Sequence, residues 1–202
     1  MIKQGMALAG AAGVGTTSYL GYSLMHKIPK AIKEATIGEE WSEFILVNGT
    51  DAQWESRKTK LSKALEDQLI PEIKAFKSDK DGLKRWCAGA AKKTYSDMKP
   101  LYLSNVRSYC TIDFKDKLGG KHIGSSDSWT EAKNKLKQVT QGTELSEEMK
   151  EVKDKLNEQL ASNALQTWCL SAYDRPYLNE QDRWFKDTKD YCTKNGASGV
   201  GA

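Results

Sequence analysis

Apolar side chains recur in this chain mostly at intervals of three and four, and that spacing predicts helix nearly throughout. Trp41, Phe44, Ile45 and Leu46 form a short apolar patch that stops at Asn48-Gly49, a turn dipeptide. Thr50 or Asp51 can then cap a helix by accepting from its first free amides, with Trp54, Leu61, Leu65 and Leu69 along its inner side. Pro71 is expected to break or bend that helix, and Ile70, Ile73 and Phe76 continue its apolar side. After the turn at Asp79-Lys80-Asp81-Gly82, one face collects Leu83, Trp86, Cys87, Ala90 and Thr94. Met98-Lys99-Pro100 ends that helix, and Tyr102, Val106, Tyr109 and Cys110 share a face of the next.

The same order returns further on. Trp129, Ala132, Leu136 and Val139 make one stripe. Leu145, Met149, Val152, Leu156 and Leu160 make another, which leads through Leu165 to Trp168 and Cys169. Pro176 turns the chain, and Trp184, Thr188, Tyr191 and Cys192 complete the series before Lys194-Asn195-Gly196 stops it. Trp86-Cys87 with Tyr109-Cys110 is thus written again as Trp168-Cys169 with Tyr191-Cys192, 82 positions later. Trp54 at the head of the first part answers to Trp129 at the head of the second. Such a self-match marks an internal repeat. The expected fold class is all-α: an N-terminal transmembrane helix followed by two related helical units, each ending in a helical hairpin.

The membrane expectation rests on residues 4–25, which hold no charged side chain and have the length of a span. Small residues at four-residue spacing, Ala9 with Gly13 and Ala11 with Gly15, suit close helix packing in lipid. Residues 26–40 read as a polar juxtamembrane linker, 41–114 as the first unit, 115–195 as a joint (Leu118 to Ser126) and the second unit, and 196–202 as a disordered tail. Lysine counting slightly favours a cytoplasmic body, whereas paired cysteines favour an exported one; the expectation follows the cysteines.

Composition changes this picture little. The net charge is +4 and no dense basic block occurs, so no specific nucleic acid is expected as a partner. Neither a phosphate-cradling loop nor a dinucleotide fingerprint is present. Of the two histidines, His26 borders the anchor and His122 lies in the joint, so a Cys-His nucleophilic pair would need an unfavourable geometry. Cysteines 23 apart lack the short spacing of a zinc site. The protein is therefore expected not to be an enzyme, to hold no cofactor or metal, and to bind no identifiable small molecule. Its partners are expected to be the membrane, through 4–25, and an unknown protein.

The glycine-rich anchor, the capped Trp54 and Trp129 segments and the doubled Trp-Cys…Tyr-Cys pattern resemble the large paralogous families of uncharacterised proteins in haemotropic mycoplasmas. The most specific part is Trp168-Cys169…Arg175-Pro176-Tyr177…Tyr191-Cys192; the first copy has Lys93-Thr94-Tyr95 at the middle position. The resemblance implies no known activity. It implies a wall-less parasitic setting and a role at the cell surface or in host contact.

Four cysteines allow three pairings, among which sequence alone does not choose. The duplication favours Cys87 with Cys110 and Cys169 with Cys192, since a unit copied whole carries its own staple. A straight helix would hold such cysteines about 34 Å apart, so the chain must reverse within each unit. The expectation is a hairpin clasped at its open end, with Trp86 and Tyr109, or Trp168 and Tyr191, beside the bond.

Overall fold

The computed structural model describes residues 34–140, 142–158 and 161–194. The span at 4–25, the linker as far as residue 33, Leu160, Asn195 and the tail 196–202 lie outside these. Among the described residues there are ten α-helices and one 3-10 turn, with four isolated bridges in place of strands. No helix among them is long and apolar enough to cross a membrane.

The helices begin where the sequence supplies a cap or a proline. α1 (Ile37–Glu40) starts at Thr36, which exchanges hydrogen bonds with Glu39 in a capping box. α2 (Asp51–Ser62) starts in the same way from Thr50 and Gln53. Pro71 and Pro100 take the first positions of α3 (Pro71–Lys74) and α5 (Pro100–Cys110), where a missing amide donor costs nothing. Asp79 caps α4 (Lys80–Ala90) by accepting from the Gly82 amide. α6 (Phe114–Leu118) is opened by an Asp113–Asp116 capping box and closed by Gly119 in the left-handed conformation. The second half continues with α7 (Thr130–Lys137), α8 (Glu147–Asn157), α9 (Ala164–Ala172) and α10 (Arg183–Tyr191).

The repeat extends to single backbone hydrogen bonds. The Ile37 amide donates to Lys93 O, as Phe114 does to Arg175 O. Tyr95 donates to Ala35 O, as Tyr177 does to Ile112 O. Leu46 donates to Cys110 O, as Ile123 does to Cys192 O. The bridges Thr36–Thr94 and Ile45–Thr111 recur as Asp113–Pro176 and His122–Thr193.

This correspondence moves the expected boundaries. Ile37, placed by sequence in the linker, is fully buried in the first core, and Phe114, placed in the first unit, is fully buried in the second. The first unit therefore opens near Thr36 and the second at Asp113. The stretch from Leu118 to Ser126 is the second unit's counterpart of Trp41 to Gly49 rather than a joint. Its Leu118 and Ile123 are buried because they belong to that core.

Both disulfides form as the duplication suggests, Cys87–Cys110 and Cys169–Cys192, with Cα atoms 5.4 and 5.6 Å apart. Their geometry corrects the expected clasp. Cys87 and Cys169 lie in the last turns of α4 and α9, and Cys110 and Cys192 lie at the ends of α5 and α10. The C-terminal ends of each helix pair therefore meet. The connections 91–99 and 173–182 turn back between the helices of each pair and are bridged, at Thr94 and Pro176, to Thr36 and Asp113. Two further expectations are corrected. α2 stops at Ser62, leaving Leu65 62% exposed, and Thr94 leaves the helix for a bridge. Of the break or bend expected at Pro71, the break occurs, with the proline at the first position of α3.

Each unit has its own core. Phe44 and Ile112 pack against both. Ile112 donates its amide to Phe44 O and accepts from the Tyr177 amide, so a single residue serves both units.

Candidate functional site

The densest polar chemistry lies at the seam between the units. On α2 the apolar face formed by Trp54 and Leu61 is interrupted by Arg57, which is 1% exposed. Its Nε donates to Thr111 O at 3.0 Å, its Nη1 to Asp113 at 2.5 Å, and its Nη2 to Asp116. The same carboxylates cap α6, so Arg57 grips the second unit at the start of its first helix. A buried acid, Asp113, and a partly buried one, Asp116, share one guanidinium. Burial lifts the Asp113 carboxyl to about 6, with Asp116 adding to the rise and Arg57 opposing it.

One turn further along α2, Lys60 Nζ donates to Ser108 O at 3.0 Å and, across the seam, to Asp174 O at 2.6 Å. It sits 5.9 Å from the centre of the Tyr109 ring. Lys135 repeats this in the second unit, donating to Asp190 O at 2.8 Å with Tyr191 at 5.5 Å. Among the described residues Lys135 has no seam partner of that kind. Burial, helped by the Arg57 charge, lowers the Lys60 ammonium to about 8.

The residues singled out by sequence fall into three places. Trp54 and Trp129 are buried at the heads of their units, and Trp129 Nε1 donates to Gly124 O at 3.2 Å. Trp86 lies 5.6 Å from Tyr102, and Trp168 stacks on Trp184 at 4.9 Å. A cation covers each pair: Lys93 at 4.5 Å from Tyr102 and Arg175 at 3.7 Å from Trp184. Tyr109 and Tyr191 lie under the two lysines, and burial raises both phenols. All four cysteines are consumed in the two bonds, which leaves no thiolate as nucleophile or ligand. Among the described residues no three or more His, Cys, Asp or Glu side chains converge as metal ligands.

Sequence reasoning missed Arg57, Lys60, Asp113, Asp116 and Lys135. A signal did exist for the first: Trp54, Arg57 and Leu61 share one helical face, and a charge there calls for a buried partner.

The receiving face of the first unit has an open counterpart in the second. Ala132 stands where Arg57 does, Lys121 and Lys194 where Phe44 and Ile112 do, and Asp127 where Ala52 does. Lys194 pairs with Asp127 at 2.7 Å. A cleft of about 480 Å³ remains there, lined by Asp127, Glu131, Ala132, Lys135 and Lys194.

Fold and site together define a tandem all-α protein whose two units are each stapled by one disulfide and joined by a buried arginine clamp. Comparison with family models, with curated proteins and with solved structures gives no match.

Proposed function

We propose that this is a non-catalytic interaction protein, held at a membrane through residues 4–25, with its two-unit body on the outer side of the cell. The observation that carries the reading is the doubled staple. Each unit holds its own disulfide at 3% exposure or less, the arrangement expected of a chain that folds in an oxidising compartment. The resemblance to the uncharacterised paralogous families of haemotropic mycoplasmas leads the same way and suggests a host or self protein as the partner.

Protease shaving of intact cells tests the reading, combined with a membrane-impermeant thiol reagent. The body should be cut from outside and yield free thiols only after reduction. A body left intact while a known external protein is cut would overturn the outward placement. Recovery of four free thiols from freshly lysed cells would favour the second reading, a cytosol-facing membrane scaffold with reduced cysteines.

A further inference from the structure

The cleft of about 480 Å³ on the second unit lies on the face that the seam covers in the first. Ala132, Lys135, Asp190 and Lys194 line it, in the places that Arg57, Lys60, Ser108 and Ile112 hold along the seam. The first unit's face is covered by the head of the second: Asp113 and Asp116 at the start of α6, and Asp174 after α9. The first unit carries the same head. The Ile37 and Gly38 amides donate to Lys93 O and Ala91 O as the Phe114 and Lys115 amides donate to Arg175 O and Tyr173 O. Thr36, Glu39 and Lys92 therefore hold the places of Asp113, Asp116 and Asp174.

This head and the open face differ from their seam counterparts in matched ways. Asp113 is paired with Arg57, whereas Thr36 and Ala132 are both neutral. Asp174 shares a cleft with Ser56 and Lys63. In the other set the charges are exchanged: Lys92 replaces the acid, Glu131 replaces Ser56 and Gln138 replaces Lys63. Lys135 donates to Asp190 O, and Lys92 O would give it the second acceptor that Lys60 has in Asp174 O. Glu39 would enter a cleft whose cations are Lys135 and Lys194. The two bonds made by Ile112 are also already divided. Lys194 donates to Lys121 O and Ala35 accepts from the Tyr95 amide, so two chains can lie side by side where one residue passes in the seam.

From this match we propose that the open face of the second unit binds the head of the first unit of a second copy, residues 36–40 with Lys92, in a head-to-tail contact. The proposal rests on the interaction reading above and names a second copy as the partner. The contact joins two different surfaces, so each added copy presents a further face and a further head. It has no counterpart of the Arg57 clamp, so copies exchange while the two units of one chain stay joined.

Full-length protein in excess detergent, half of it labelled with nitrogen-15, is treated with a carbodiimide, which joins a carboxylate directly to an amine. Peptide mass mapping should find Glu131 linked to Lys92 between labelled and unlabelled copies. Sedimentation then follows association in two variants at exposed positions, Lys92→Glu and Glu131→Lys. Each alone should associate about tenfold more weakly or worse, because like charges meet across the contact. An equal mixture of the two restores opposite charges at every contact and should associate like the wild type. Neither misfolding nor association through residues 4–25 gives that pattern. Protein that stays monomeric, links that run elsewhere, variants that associate like the wild type, or a mixture that stays apart overturns the proposal. None of these results touches the outward placement, which shaving of intact cells tests separately.

Discussion

At the residue scale, Arg57 has the most to lose. Replacing it by alanine leaves the buried Asp113 and the partly buried Asp116 without the guanidinium that pairs with both, and urea unfolding should show a loss of about 3–5 kcal/mol. Lysine should rescue little, because a point charge on a flexible stem cannot serve Thr111 O, Asp113 and Asp116 at once. The two shifted groups at the seam also set opposite pH trends. Asp113 titrates higher in the native state than in the unfolded chain, so between about pH 4 and 6 the native state binds more protons and stability falls as pH rises. Lys60 titrates lower, so between about pH 8 and 10 the native state binds fewer protons and stability rises with pH. Above that window the raised Tyr109 and Tyr191 phenols reverse the slope. Thermal unfolding of the wild type against Asp113→Asn and Lys60→Arg should flatten one limb each. A slope unchanged by its own substitution would count against the assignment.

At the element scale, equivalent helices solve the same problem with different residues. On α5 Asn105 accepts from the Ile70 amide and donates to Gln68 O, holding the start of α3. On α10 the equivalent Asp187 accepts from the Ser146 amide and so holds the start of α8. Burial raises the Asp187 carboxyl, so its charged form is costly there. Asp187→Asn should therefore change stability little, whereas Asn105→Ala should cost about 1–3 kcal/mol by stranding buried backbone groups; chemical denaturation of both variants checks the contrast. Gly49 is a tight point of the first unit. A Cβ there would lie 2.7 Å from Leu46 Cγ and 2.9 Å from Trp54 Nε1, so Gly49→Ala should destabilise by about 1–3 kcal/mol.

These comparisons also explain what the sequence made legible. The all-α class followed from periodicity, and the cysteine pairing from the copied Trp-Cys and Tyr-Cys pairs. The unit boundaries stayed hidden because the copies do not keep one offset. Thr36 answers to Asp113, Trp54 to Trp129 and Cys87 to Cys169, and the shift changes in the connections between them. Anchoring the copies on Trp54 with Trp129 and on the cysteines therefore misplaced α1 and α6. The arginine clamp was hidden for another reason: Arg57 meets partners 56 and 59 positions away, a distance at which no local pattern operates.

For the whole molecule, the seam and the staples divide the work of holding the chain together. Across the seam run Arg57, Lys60 and the shared residue Ile112, so the two units meet without an intervening linker. The staples act only within their units, and each should add roughly 3 kcal/mol in the chain-entropy model. Replacing one cysteine pair by serine should therefore lower the stability of its own unit first, which hydrogen exchange can locate. The staples also determine how the body yields to mechanical load. A pull on the two ends cannot stretch the 23-residue loop behind each bond, so that length is withheld from extension. In single-molecule pulling, reduction should lengthen the unfolded chain by about 75 Å per unit. A body tethered at a surface under shear would then give way in short steps, with each loop retained until a reductant releases it.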